Sequence, residues 1–222
     1  MDMANQIVDW LTLIAIIITF IISINHLDKT QLLPIQIYIF LSIVFNLVIK
    51  ITDLLPQQNS TSNIAHIAIN VFSLLEISLI YYYLYFRIRG RGFKKTIIVF
   101  YLFYFTICGI FWNIKPNSFY SFAPHLFGIE GVLITIPCLF YIYEILRTDL
   151  KVNLYSNANF IVTCGILFYF SISIPTYLSW YNLYYLAPGF DKLLLLSNSI
   201  FYGILFISFM KAYLCNIQEQ KQ

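Results

Sequence analysis

Residues 64 to 95 read IAHIAINVFSLLEISLIYYYLYFRIRGRGFKK. From Ile64 to Phe86 there is one acid and no lysine or arginine; five basic side chains then arrive together, Arg87, Arg89, Arg91, Lys94 and Lys95. The hydrocarbon core of a bilayer is about 30 Å thick and an α-helix rises about 1.5 Å per residue, so about 20 apolar residues cross it. The run is long enough to span a membrane, and the basic cluster marks the side on which it emerges.

Six further runs of the same kind lie on either side: Ile7 to Ile24, Leu32 to Leu54, Thr96 to Ile114, Phe119 to Leu146, Asn157 to Trp180 and Leu193 to Leu214. The chain therefore reads as all-α, a single seven-transmembrane-helix bundle over residues 1–222, its connectors too short to hold a soluble domain. Composition agrees: 60% of the residues are hydrophobic and only 10% are charged, a balance that needs lipid as solvent. A net charge of +3, with the basic residues dispersed, gives no nucleic-acid surface. Cys108, Cys138, Cys164 and Cys215 fall in or at the ends of apolar runs without a C-x-x-C spacing, which reads as small buried hydrophobes. Met1 to Gln6 has no basic region, and the first run lacks a small-residue cleavage site, so an uncleaved first span is expected.

Orientation follows from the loops that hold the cations. One side collects Lys29, the five residues from Arg87 to Lys95, Arg147, Lys151, Lys211 and Lys221, whereas the other has only Lys50, Lys115 and Lys192. Placing the first side in the cytoplasm puts the N-terminus outside. Trp10, Trp112 and Trp180 then sit at the outer ends of their helices, and Tyr81 to Tyr83, Tyr85, Tyr141 and Tyr143 form an inner belt, as amphipathic rings prefer the interface. The expected location is the plasma (cell inner) membrane.

An ionisable side chain in the middle of a bilayer is costly, so each one is a site candidate. Glu76 and Glu130 are expected at similar mid-membrane depth. His66, Asn70, Ser73 and Glu76 follow at steps of four, three and three, making one polar stripe on helix three. Glu130 shares a helical face with Pro137, Tyr141 and Glu144, and Gly128 and Gly131 flank it. Pro137 has no N–H, which frees the carbonyl of Leu133 and predicts a kink with exposed backbone polarity; Pro175 does the same for Ser171. Helix one carries Asp9, Thr12, Thr19 and Ser23 on one side, and helix two carries Ser42, Asn46, Lys50 and Asp53, the last two spaced to pair. The bland alternative is that such groups only bond helix to helix. Glu76, Glu130, Asn70, His66 and Tyr141 are the ligand- or proton-binding candidates, and Arg87, Arg89, Arg91, Lys94 and Lys95 are candidates for a partner or lipid headgroups.

Several seven-helix chemistries do not fit. A retinal protein needs a lysine mid-way along helix seven, but Lys192 and Lys211 lie at its ends. An intramembrane zinc hydrolase needs several histidines, and this chain has three, His26, His66 and His125, with His26 on the opposite side. His66 and His125 give only weak grounds for a haem pair, and Pro56-Gln57 occurs once, in a loop. Asn59-Ser60-Thr61 is a glycosylation sequon in an expected outer loop. No cofactor is expected.

The stretch from Asn159 to Ser171, NFIVTCGILFYFS, together with the mid-helix Glu130, resembles a group of small bacterial seven-helix membrane proteins often encoded beside two-component signalling genes. That resemblance implies a sensor or input module without its own output domain. The expected function is a sensory or regulatory membrane module that detects a ligand, proton or lipid in an outward-facing polar interior. It would signal to a cytoplasmic partner such as a histidine kinase. The alternative is a small-solute or proton-coupled transporter or channel running past the same carboxyls. An intramembrane enzyme has no nucleophile–base pair or metal triad to support it.

Overall fold

The structure, a computed structural model, describes residues 3–24, 32–54, 59–115, 119–148, 154–179 and 190–220. Among these residues the helices are α1 Met3–Ile24, α2 Leu33–Leu54, α3 Asn59–Arg87, α4 Arg91–Ile114, α5 Pro124–Thr148, α6 Ala158–Leu178 and α7 Phe190–Gln220. All seven are long and apolar enough to cross a membrane. Lys29, Lys151, Lys221, Trp180, His26 and the Pro56-Gln57 pair lie outside the described residues.

Helix boundaries follow local chemistry. Asn157 starts α6 by accepting a hydrogen bond from the Phe160 N–H at 3.0 Å, as an N-cap does. α5 begins at Pro124, five residues after the expected Phe119, because proline lacks the N–H that a first helical residue leaves unpaired anyway. α4 begins at Arg91, inside the basic cluster and ahead of the expected Thr96. The sequon Asn59-Ser60-Thr61, expected in a loop, forms the first turn of α3.

The helices run alternately up and down. α1 packs on α2 and α7, α2 on α3, α3 on α4 and α5, α5 on α6, and α6 on α7, closing a ring. α4 sits outside the groove between α3 and α5 and buries the smallest share of its length. The bundle is apolar outside and polar within. Ile14, Ile18 and Ile21 of α1 and Ile98, Val99, Leu102 and Phe103 of α4 are exposed, whereas Thr19, Ser42, Ser73, Glu76, Glu130 and Ser173 are buried. Such an arrangement suits lipid as solvent and leaves the interior hydrogen bonds to hold helix to helix. The polar side of α1 does this against α7. Ser199 donates to Asp9 at 2.9 Å, Thr12 to the Ser199 carbonyl at 3.1 Å, and Thr19 to the Phe206 carbonyl at 3.2 Å.

Trp10 and Trp112 mark one end of the bundle, and Arg87, Arg89, Arg91, Lys94, Lys95, Arg147 and Lys211 gather at the other. Lys50 lies over the ring of Trp10, 4.5 Å from its centroid, and the side chain of Asp53, expected to pair with it, lies outside the described residues. Tyr81, Tyr83 and Tyr141, read as interfacial, are buried, while Tyr82 and Tyr143 are exposed.

Small residues set the close helix pairs. A Cβ on Gly165 of α6 would stand 2.7 Å from the Cβ of Ser208 on α7, and one on Gly131 of α5 would stand 2.9 Å from Ile174 of α6. Because the Ser208 Cβ cannot swing aside, a side chain at 165 must push the helices apart. Gly165→Val is expected to lower stability by about 1–3 kcal/mol. Thermal unfolding of the purified chain in detergent measures this, and an unchanged midpoint would contradict the close α6–α7 approach.

Candidate functional site

A cavity of about 260 Å³ lies inside the ring in the half that carries Trp10 and Trp112. Its lining comes from five helices and the segment just before α5. Asn46 and Phe45 belong to α2, Phe72 and Glu76 to α3, Phe122, Phe127 and Glu130 to α5 and the residues just before it. Tyr169, Ser173 and Tyr177 come from α6, and Asn198 and Tyr202 from α7. Eight of the 18 lining residues are aromatic, two are carboxylic acids, and none is basic.

Both carboxyls are anchored by neighbouring helices. Tyr38 of α2 donates to Glu76 Oε1 at 2.6 Å, and Glu76 keeps 7% of its surface accessible on the cavity side. Glu130 is only 1% exposed. Its Oε2 accepts from Ser73 Oγ at 2.5 Å and, more distantly, from Tyr104 at 3.4 Å, while the Ser73 and Tyr104 hydroxyls lie 2.7 Å apart. Ser73 has one proton; if it gives that proton to Glu130, Tyr104 completes the chain by donating to Ser73. Glu130 Oε1 is buried and has no hydrogen-bond partner among the described residues. A buried polar oxygen left without a donor is costly, so a group supplied from the cavity would lower the energy of this site.

Glu130 is thus held by Ser73, which precedes Glu76 by three residues on α3. The remaining polar lining is linked sideways. Ser173 donates to Asn198 Oδ1 at 3.2 Å, Asn198 Nδ2 to the Tyr177 hydroxyl at 3.2 Å, and Tyr202 to Ser42 at 3.1 Å.

Of the other candidates, Asn70 donates to the backbone carbonyls of Phe119 at 2.8 Å and Ser121 at 3.3 Å, which ties down the chain entering α5. His66 is half-buried on α3, and neither it nor Asn70 lines the cavity. Tyr141 lines a separate cavity of about 270 Å³ at the basic end, with Arg87, Arg89, Glu144 and Asn159. There, the Arg89 N–H donates to Glu144 Oε2 at 2.8 Å and the Gly90 N–H to Oε1 at 2.5 Å, so a carboxyl of α5 clamps the turn into α4. A Cβ on residue 90 would stand 2.6 Å from Glu144 Oε1, so a side chain there would push the carboxyl off the turn. The basic side chains divide. Arg87 and Lys94 lie over Tyr83 and Tyr85 at 5.7 and 5.0 Å, and Arg89, Arg91 and Lys95 are exposed.

Pro137 and Pro175 both lie inside their helices. The carbonyl freed by Pro137 does not face the cavity, contrary to the expectation of exposed backbone polarity: Tyr81 of α3 donates to Leu133 O at 2.7 Å. Tyr38, Tyr104, Tyr177, Asn198 and Tyr202 were not singled out by the sequence. A usable signal existed on α2, where Tyr38 continues the four-residue step of Ser42 and Asn46, and on α7, where Asn198 and Tyr202 share a face.

Tyr81→Phe is expected to cost about 1 kcal/mol, between an average hydrogen bond within a membrane, about 0.6, and a buried orphan carbonyl, about 1–3. In a Pro137→Ala background residue 137 regains its N–H, so most of that cost should vanish. A double-mutant cycle of unfolding free energies reads this directly, and additive effects would refute the Tyr81–Leu133 compensation.

No protein-family model, curated protein or solved structure matches the chain.

Proposed function

We propose that this chain is a sensory or regulatory membrane module that takes a small ligand into the cavity and passes its occupancy along α5 to the basic end. The observation that carries the reading is that one helix serves both places. α5 holds Glu130 at the cavity and, four turns on, Glu144 on the Arg89–Gly90 backbone, with Pro137 between them. A ligand that draws on Glu130 changes the balance of its bonds to Ser73 and Tyr104 on α3 and α4. The same two helices flank the clamped turn, so a shift of α5 against them reaches Glu144. The bistable element is the α5 segment around Pro137, whose alternative is loss of the Tyr81–Leu133 bond.

In this reading the basic end is cytoplasmic and the N-terminus lies outside, in the plasma (inner) membrane of a cell. The support is the basic excess at that end and the tryptophans at the other. Output goes to a cytoplasmic signalling partner, such as a histidine kinase, through exposed Arg89, Arg91 and Lys95.

A transporter or channel needs a route through the other half of the bundle. That half buries Ile35, Ile39, Ile80, Leu84, Ile134 and Val162, with Phe206 and Phe209 against Tyr38, and holds its own cavity beside Tyr141 and Glu144. The two cavities share no lining residue, which favours reception over passage.

Communication between the ends can be read without knowing the ligand. Glu130→Gln is expected to change the rate of tryptic cleavage at Arg89 and Arg91 in membranes by about threefold or more, since about 0.7 kcal/mol of altered clamp stability suffices. Liposomes containing only this chain should show no proton or solute flux. Flux that Glu130→Gln abolishes, with cleavage unchanged, would favour the transporter and end the sensor reading.

A further inference from the structure

The chemistry of the cavity selects its occupant. A ligand for this space must be small, because about 260 Å³ falls just below the about 300–1,000 Å³ of drug-sized sites. It must tolerate two carboxyls, Glu76 and Glu130, and among the described residues no lysine, arginine or histidine lines the cavity to hold an anion. Lys50, on the lining helix α2, is turned toward Trp10.

The rings supply the second requirement. Phe122, Phe127 and Tyr177 form one cluster, with centroids 5.4 Å apart for Phe122–Phe127 and Phe127–Tyr177 and 6.2 Å for Phe122–Tyr177. Tyr169 and Tyr202, 5.3 Å apart, form another on the adjoining wall. Aromatic walls beside a carboxyl are the arrangement that binds alkylammonium groups: the ring quadrupole attracts the positive charge, and the apolar walls accept the methyl groups that a hydrated metal ion lacks. A neutral hydrocarbon would leave Glu130 Oε1 buried without a partner, and an anion would meet two carboxyls.

We infer that the cavity is a site for a small organic cation, an amine or quaternary ammonium compound, held between the aromatic walls and the Glu76–Glu130 carboxyls. The inference rests on the reading of this cavity as a ligand site and narrows it to a chemical class. The cation supplies the positive charge that a carboxylate in a low-dielectric interior requires, and an ammonium N–H, where present, has Glu130 Oε1 as its acceptor. Three helices would respond together, because Glu76 is on α3, Glu130 on α5 and Tyr177 on α6.

Charge selectivity can be measured on the full chain in nanodiscs, with a cysteine placed in the lining by Asn46→Cys. Its rates of modification by three methanethiosulfonates are compared, each corrected for intrinsic reactivity and for the native cysteines: the neutral methyl reagent, the trimethylammonium-ethyl cation and the sulfonatoethyl anion. The cation should react at least about tenfold faster than the anion, and tetramethylammonium at millimolar concentration should slow the neutral reagent. Glu130→Gln should remove most of the preference, and Tyr177→Leu should weaken the tetramethylammonium protection about tenfold while leaving the carboxyls in place. Equal cation and anion rates, with the neutral reagent reacting freely, would overturn the cation assignment and leave the ligand-site reading standing. If the neutral reagent does not react either, the cavity is closed to solutes and both fall.

Discussion

Two carboxyls in a bundle whose outer surface is hydrocarbon must find their donors inside it, and most of the interior is organised by that need. Lipid offers no donor to a stray oxygen, so each acid takes hydroxyls from adjoining helices. Tyr38 reaches Glu76 from α2, and Ser73 and Tyr104 reach Glu130 from α3 and α4. These bonds fix the relative heights of four helices. They leave Glu130 Oε1 buried and without a partner among the described residues, on a side chain that lines the cavity.

Packing then separates the two halves of the molecule. In the tryptophan half, aromatic rings stand around a cavity, whereas in the basic half branched aliphatic residues and phenylalanines are buried above a second, more polar cavity beside Glu144. The α5–α6 and α6–α7 pairs are held close by Gly131 and Gly165, which leave little room for sliding. α3, α4 and α5 meet instead through hydroxyl bonds, Tyr81 to Leu133 and Ser73 to Glu130 among them. Hydrogen bonds of this kind can be exchanged at a cost of about 0.6 kcal/mol each, so motion is easier along α5 against α3 and α4 than against α6. The Glu144 clamp lies on that softer seam.

The spans were legible because a period-free apolar run of about 20 residues has one physical use. Glu76, Ser73 and Glu130 were legible as well, since burial of an acid is costly enough to mark the residue. What the stripe on α3 could not show was the neighbour at each level. Asn70 shares the stripe with Glu76 yet meets loop carbonyls, and Tyr141 shares a face with Glu130 yet belongs to the opposite end. The tyrosines were the larger loss. A tyrosine in an apolar run suits either a membrane interface or a buried acceptor, and only the tertiary partner decides which: Tyr38 has Glu76, and Tyr81 has a carbonyl released by a proline on another helix. Likewise α4 starts early because Glu144, more than fifty residues downstream, holds the turn before it.

Reception in this cavity requires that solutes reach it from the tryptophan end and do not pass on to the basic end. Side-specific labelling in intact cells and inverted vesicles with a membrane-impermeant thiol reagent tests it most directly, on single-cysteine variants at Ser173 in the lining and Ile134 in the packed half. Ser173→Cys should label only from the side bearing Trp10 and Trp112, and Ile134→Cys from neither. Labelling of Ile134→Cys, or of Ser173→Cys from the basic side, would mean a through-going path and would contradict the account.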